Sequence, residues 1–249
     1  MTTDGPNRSD GRAVPFAADL ERLVSTQRFS TYLRVASDPD EGVRLYLWNA
    51  RISGAFAELL QHVEVIVRNA MHASLAAHHG GIPGRPHGAE WFDGPSWVQH
   101  HWFNGPAQTS IDKASRFAGH SPAHPRPDKV VSELSFGFWR YLVSDRYEQS
   151  LWVPALDGAF GAPGATVRER RRAVEDRLAP LHLLRNRIAH CEPIFGTITY
   201  RRRRVPPVPK RLEDLHADAL DLISWVWPPA ATWISSEVDQ VAGLLRMRP

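Results

Sequence analysis

A single cysteine, Cys191, stands in 249 residues. That excludes an internal disulfide framework and a cysteine-built zinc site. No stretch approaches the roughly 18 uninterrupted apolar residues that a membrane span requires, so no membrane partner is expected. The opening MTTDGPNRSDGRAV is polar and has no apolar segment of the secretory type, and residues 1–14 are expected to form a disordered tail. There is no internal repeat, no Gly-rich phosphate loop ahead of a strand, and no serine nucleophile elbow. The histidine pairs His78-His79 and His100-His101 lack a helix-spaced mate or a carboxylate at ligand spacing, so neither a metal nor a cofactor is expected. A reducing, cytoplasmic setting fits these absences best.

What remains is an ordinary globular composition, 43% hydrophobic and 23% charged. Helical periods dominate it. Short amphipathic helices are expected over 16–26 and 29–35, the second capped from Ser30. Asp40 opens the longest pattern, which carries apolar residues to about His78 and would span nearly 60 Å unbroken, with a kink expected near Ser53-Gly54. Gly80 to Pro106 breaks every period and reads as a connector pinned by Trp91, Phe92, Trp97, Trp102 and Phe103. Further helices are expected over 107–117, 128–143 and 147–153. Gly137, in the middle of one of them, implies close approach by another helix.

Thr166 and Glu169 form a capping-box pair at the head of the next helix, which Pro180 is expected to bend. Residues 196–200 alternate as one short strand, and a helical pair over 210–246 closes the chain. The fold class is therefore all-α, a single helical-bundle domain over 15–249 with additional C-terminal helices.

Charge is uneven. Between Thr166 and Arg211 there are 13 Arg or Lys against 4 Asp or Glu, leaving 17 against 23 elsewhere. A polyanion would be drawn to that segment. Arg170, Arg171, Arg187 and the run Arg201, Arg202, Arg203 and Arg204 are its candidate RNA contacts, although arginine-rich stretches are also commonly just solvated.

At the centre of this segment lies LHLLRNRIAHCEPIFG, residues 181–196. Leu181, Leu184 and Ile188 recur at helical spacing and should anchor the helix in a core. Asn186 and His190, four apart, share a face that the long Arg185 side chain can reach. Such a trio suits phosphodiester cleavage. Histidine exchanges protons near neutrality, arginine forks onto phosphate oxygens, and asparagine orients either one. On periodicity alone, the same residues could equally be an ordinary polar helix face. An earlier set, Glu64, Arg68 and Asn69 with His72, stands on the long helix. It reads either as a local ion pair or as a second polar group facing the trio, with Glu64 orienting Arg185 or His190.

The string RNRIAH matches the Arg-Asn-x-x-x-His signature of the HEPN superfamily. The wider order resembles the Abi-like, abortive-infection branch of that superfamily: YLWNARISGAFAELLQHVEVIVRNAMH, then Trp91-Phe92, then Ser135 to Trp139. The resemblance covers about residues 30–196. It implies a HEPN-like bundle in which the long helix packs on the signature helix, and a metal-independent endoribonuclease with Arg185, Asn186 and His190 at its centre. It further implies a homodimer with a composite site, a toxin-like role in phage defence, and a small RNA or protein antitoxin as inhibitor. Some superfamily toxins are silenced by nucleotidyl transfer to a tyrosine two residues past the histidine. Glu192 stands at that position here. The competing reading is a non-catalytic RNA-binding or protein-interaction module.

Overall fold

The computed structural model describes residues 17–80, 91–92, 102–103, 105–121, 123–201 and 206–249. Helices make up most of them, with one two-stranded sheet, in line with the all-α class that the periods predict. The chain divides into two compact units, Met1–Ile52 with Gly243–Pro249 and Ser53–Ala242. The division falls inside a helix, where no linker composition marks it. The expected tail over 1–14 lies outside the described residues, as does most of the connector after Gly80.

In the first unit, α1 (Ala17–Val24) stops where Ser25 takes a positive φ of 76°. The Ser25 hydroxyl then accepts the Arg28 amide and starts α2 (Thr26–Leu33). The cap is therefore Ser25 and not Ser30, whose hydroxyl donates back to the Gln27 carbonyl at 2.9 Å. α3 (Pro39–Gly80) begins at the Ser-Asp-Pro-Asp break: Asp38 accepts the Glu41 amide at 2.7 Å, and Glu41 accepts the Ser37 amide at 2.6 Å. This reciprocal cap, with proline in the first helical position, is a strong start signal.

α3 runs 42 residues, about 63 Å at 1.5 Å per residue. It passes through Ser53 and Gly54 without a break, and nothing approaches Gly54 closely enough to require its missing side chain. Within the second unit its stripe of Phe56, Leu59, Val63, Val67, Met71 and Leu75 is buried at spacings of three and four.

α4 spans Gly105–Ala118. The helix expected over 128–143 is two helices, α5 (Pro127–Glu133) and α6 (Phe136–Leu142), because Leu134 turns extended and Ser135 caps α6 by accepting the Phe138 amide at 3.3 Å. Serine offers the backbone a local alternative to continuing the helix. Residues 145–159 form two 3₁₀ turns around a π-helical segment, Glu148–Leu156, in place of the short helix expected over 147–153.

α7 (Val167–Ala189) opens on the Thr166–Glu169 capping box and continues through Pro180 unbroken. Pro180 is buried there, flanked by the buried Leu178, Ala179 and Leu181. Burial of side chains of this size stabilises by about 1.5–3 kcal/mol each, enough to offset the roughly 3 kcal/mol an internal proline costs. β1 (Ile198–Tyr200) pairs antiparallel with β2 (Val208–Lys210), the second strand coming from a proline-rich stretch that gave no strand signal.

α8 (Leu212–Val226) packs along both α7 and α9 (Pro228–Glu237). A break over 238–240 then separates α10 (Val241–Arg246), so the closing pair is three helices. Asp239 makes that break by accepting the Val241 amide at 2.8 Å. Among the described residues no helix is long and apolar enough to cross a membrane.

Candidate functional site

The last turns of α7 present the signature, and the helix end decides how. His190 closes the helix, its amide bonded to the Asn186 carbonyl at 3.0 Å. Cys191 follows with a positive φ of 54°, and its amide and that of Glu192 return to the carbonyls of Ile188 and Arg187 at 2.9 and 2.8 Å. This is a Schellman-type stop, in which a left-handed residue satisfies the last carbonyls. A cysteine in that conformation is strained by about 1 kcal/mol or more, since left-handed backbone disfavours a β-carbon. Cys191 is exposed and not packed at the helix end as its size suggests. The turn leaves His190 and Arg185 both exposed, with Asn186 half-buried between them.

Asn186 faces inward. Its amide nitrogen lies 3.4 Å from Nε2 of His182, one turn earlier on the same stripe. His182 is wedged against α6: its Nε2 comes within 3.1 Å of where a side chain at Gly137 would begin, and its ring meets Phe136 edge-on at 5.8 Å. Gly137 thus admits α7 at close range, as its place in the sequence implied. Burial, with the guanidiniums of Arg140 and Arg185 nearby, pushes the His182 pKa down, so the ring is neutral near pH 7. Arg140 is itself stacked on the Tyr200 ring at 4.8 Å. His182 lies one turn ahead of the Arg185 to His190 motif and outside it; the spacing of four among His182, Asn186 and His190 is the signal that marks it in the sequence.

On the neighbouring side of α7, a cleft of about 330 Å³ opens toward α3. Leu60, Gln61 and Glu64 line one wall, and Arg185 and Ile188 the other. Ile188, expected in the core, is instead a half-exposed wall of this cleft. α3 and the end of α7 thus line one cleft, and Glu64 shares it with Arg185 without an ion pair to it or to Arg68. Arg68 is half-buried with its Nε 3.5 Å from the side chain of exposed Asn69, and neither residue lines the cleft. His72 accepts the Trp91 indole N–H at 2.8 Å, a packing role that burial supports by lowering its pKa.

Most arginines of the first half of α7 are committed elsewhere, while Arg172 is exposed. Arg171 is 2% exposed and cannot reach RNA: it donates to Glu148 at 3.0 Å, to Glu175 at 2.7 Å and to the Val143 carbonyl at 2.8 Å. Arg168 holds the other Glu148 oxygen at 2.8 Å, and Tyr200 donates to Glu175 at 3.1 Å. Burial alone would raise the Glu148 pKa, but the hydrogen bonds from Arg168 and Arg171 outweigh it and hold the carboxyl below its ordinary range.

Arg170 forks onto both oxygens of Asp157 and so also falls away as an RNA contact. Arg177 pairs with Asp221 at 2.9 Å and stacks on Trp225 at 4.3 Å. Four acids outside the basic segment, Glu148, Asp157, Asp218 and Asp221, thus neutralise much of it.

Of the remaining candidates, Arg187 is partly exposed and 4.0 Å from Glu192, and Arg201 is exposed. Arg202, Arg203 and Arg204 lie outside the described residues. Among the described residues no group of three or more His, Cys, Asp or Glu is placed to hold a metal ion. No family model, curated protein or solved structure matches this chain.

Proposed function

We propose that the protein is an endoribonuclease of the Abi-like HEPN type, cleaving RNA by attack of a ribose 2′-hydroxyl. The observation that carries this reading is the exposed end of α7, where Arg185 and His190 stand on either side of Asn186 and a Schellman-type turn ends the helix at His190. His190 exchanges the proton at the 2′-oxygen or the leaving oxygen, Arg185 neutralises the phosphoryl oxygens, and Asn186 orients the imidazole. The 2′-oxygen bonds to phosphorus as the 5′-oxygen departs with a proton. The products are a 2′,3′-cyclic phosphate and a 5′-hydroxyl, with no oxidation and no metal in the scheme.

Two proton-transfer groups are needed, and the exposed end of α7 carries one imidazole, that of His190. His182 lies eight residues earlier, about 12 Å along the helix axis, too far for both rings to serve one phosphodiester. A homodimer that sets two signature helices across one cleft meets the requirement. It predicts a sedimenting mass near twice 28.0 kDa. In this reading the biological role is a toxin-like effector of abortive-infection defence, restrained by a small RNA or protein antitoxin.

The inward turn of Asn186 toward His182 and the neutralised arginines of α7 favour a second reading, a non-catalytic RNA-binding or protein-interaction module. Wild type and His190→Ala incubated with total RNA in EDTA separate the two. The nuclease reading requires cyclic-phosphate ends from wild type and a loss of at least 1,000-fold in the variant, equivalent to about 4 kcal/mol of transition-state stabilisation. Equal inertness with RNA binding retained supports the module.

A further inference from the structure

The cleft between α3 and the end of α7 combines features that seldom coexist without a ligand. Leu60 and Ile188 give it apolar walls, while Gln61, Glu64 and Arg185 stand along it with side chains that make no hydrogen bond or ion pair among the described residues. A carboxylate and a guanidinium that share one cleft but do not pair leave an acceptor and a cation each available to something between them. At about 330 Å³ the space lies at the small end of sites for organic ligands, roughly 300–1,000 Å³, and equals the volume of on the order of ten waters. Arg185 and Ala189 line it, and His190 is the next residue along the chain.

We infer that this cleft is the base pocket of the nuclease site and selects guanosine, so that cleavage falls on its 3′ side. The inference rests on the proposal that Arg185 grips the scissile phosphate. A nucleobase has two apolar faces, which suit Leu60 and Ile188, and a polar edge that must be satisfied once water is excluded. Glu64, when ionised, is an acceptor with two oxygens. Guanine alone offers two adjacent donors on one edge, N1–H and the 2-amino group, and can meet that carboxylate with two parallel bonds.

Cytosine and adenine bring one amino hydrogen to the same spot beside a ring nitrogen acceptor. Uracil brings one N–H between two carbonyls that repel the carboxylate. Gln61, at the rim, can donate to guanine O6. The ribose phosphate then extends toward Arg185 and His190. A second protein copy seated in the cleft would bury Glu64 and Arg185 apart from each other, a costly arrangement unless it brought matching charges.

The test uses the full-length His190→Ala protein with 3′-GMP, 3′-AMP, 3′-CMP and 3′-UMP, with affinities read by calorimetry and folding checked by thermal melting. The expected result is 3′-GMP bound at least tenfold tighter than the other three. Glu64→Gln on this background removes that preference, and Arg185→Gln weakens all four alike. Equal affinities, or a preference that survives Glu64→Gln, would overturn the pocket. Selective 3′-GMP binding in a protein that never cleaves RNA would leave the pocket standing and reject the nuclease. Cleavage by wild type with no guanosine bias at the new 3′ ends would do the reverse.

Discussion

The two halves of α7 are built from the same residue types and put them to opposite uses. In the first half, Arg168, Arg170, Arg171 and Arg177 each meet a carboxylate carried by another element, and Arg171 is almost wholly buried between one of these, Glu148, and Glu175 of α7 itself. In the last turns, Arg185 and His190 are exposed and, among the described residues, pair with no carboxylate. Arginine is thus a structural cross-link at one end of a helix and a free cation at the other. The deciding factor is which acids lie across the fold, and those are far away in sequence. The first half fixes the helix against the π-helical segment and α8, so that the second half can leave its polar groups unsatisfied. Unpaired charge at a rigid position is what a site for an anionic substrate requires.

The largest expected effect tests the first half. Arg171→Met leaves Glu148 and Glu175 buried without their shared cation, and breaking a buried pair in this way costs about 3–5 kcal/mol. Urea denaturation should show that loss in the midpoint. Adding Glu148→Gln and Glu175→Gln to the same chain should recover much of it, because the orphaned charges are then gone. Arg185→Met at the other end should shift the midpoint by well under 1 kcal/mol and abolish cleavage. A comparable loss of stability from both single variants would erase the distinction between the halves.

That distinction also marks what was legible in the sequence. The capping box at Thr166, the start of α3 at Pro39 and the close approach at Gly137 were readable because each rests on residues a few positions apart or on a single missing side chain. The break at Ser135, the positive φ at Ser25 and the survival of α7 through Pro180 were not. In each of these the local propensity is weak and the packing partner is remote. The basic segment was overread for the same reason: a window from 166 to 211 counts Arg170 and Arg171 but cannot see Asp157 and Glu148 folding onto them. The sequence spacing puts Asn186 and His190 on one face within reach of Arg185. In the fold Asn186 turns to His182, a residue to which the motif drew no attention.

His182 gives the next prediction. Its pKa is pushed down by burial and by Arg140 and Arg185, so the folded protein binds its proton less readily than the unfolded chain does. Between the ordinary histidine value of about 6.5 and that lower folded value, the unfolded state carries more protons and stability falls with falling pH. His72, also pushed down by burial, acts in the same direction. Denaturation midpoints measured from pH 8 to pH 5 should decline, and His182→Gln should flatten the decline while His72 maintains the remainder.

His182 is in this scheme a positioning residue, because its neutral ring can accept the Asn186 amide and a protonated ring cannot. His182→Leu should therefore lower kcat about tenfold with KM little changed, a loss of about 1.4 kcal/mol in the barrier. His182→Gln, which keeps an acceptor, should restore most of kcat and lose the acid-side inflection contributed by the histidine. A kcat that follows folded fraction alone in both variants would reduce His182 to packing.

The smallest effect lies at the boundary between the halves' behaviours. Arg187 is 4.0 Å from Glu192 with both side chains substantially exposed, so the pair contributes at most about 1 kcal/mol and leaves the guanidinium able to swing toward phosphate. Arg170, earlier on the same helix, has no such freedom, because Asp157 holds it by two bonds. RNA affinity measured across a salt series separates them. Each phosphate contact removed lowers the slope of log K against log salt by about one. Arg187→Ala should lower the slope by that amount at nearly constant stability, and Arg170→Ala should leave it unchanged. The opposite pattern would mean that Asp157 yields its arginine to RNA, and that the division between a satisfied half and an open half of α7 does not govern binding.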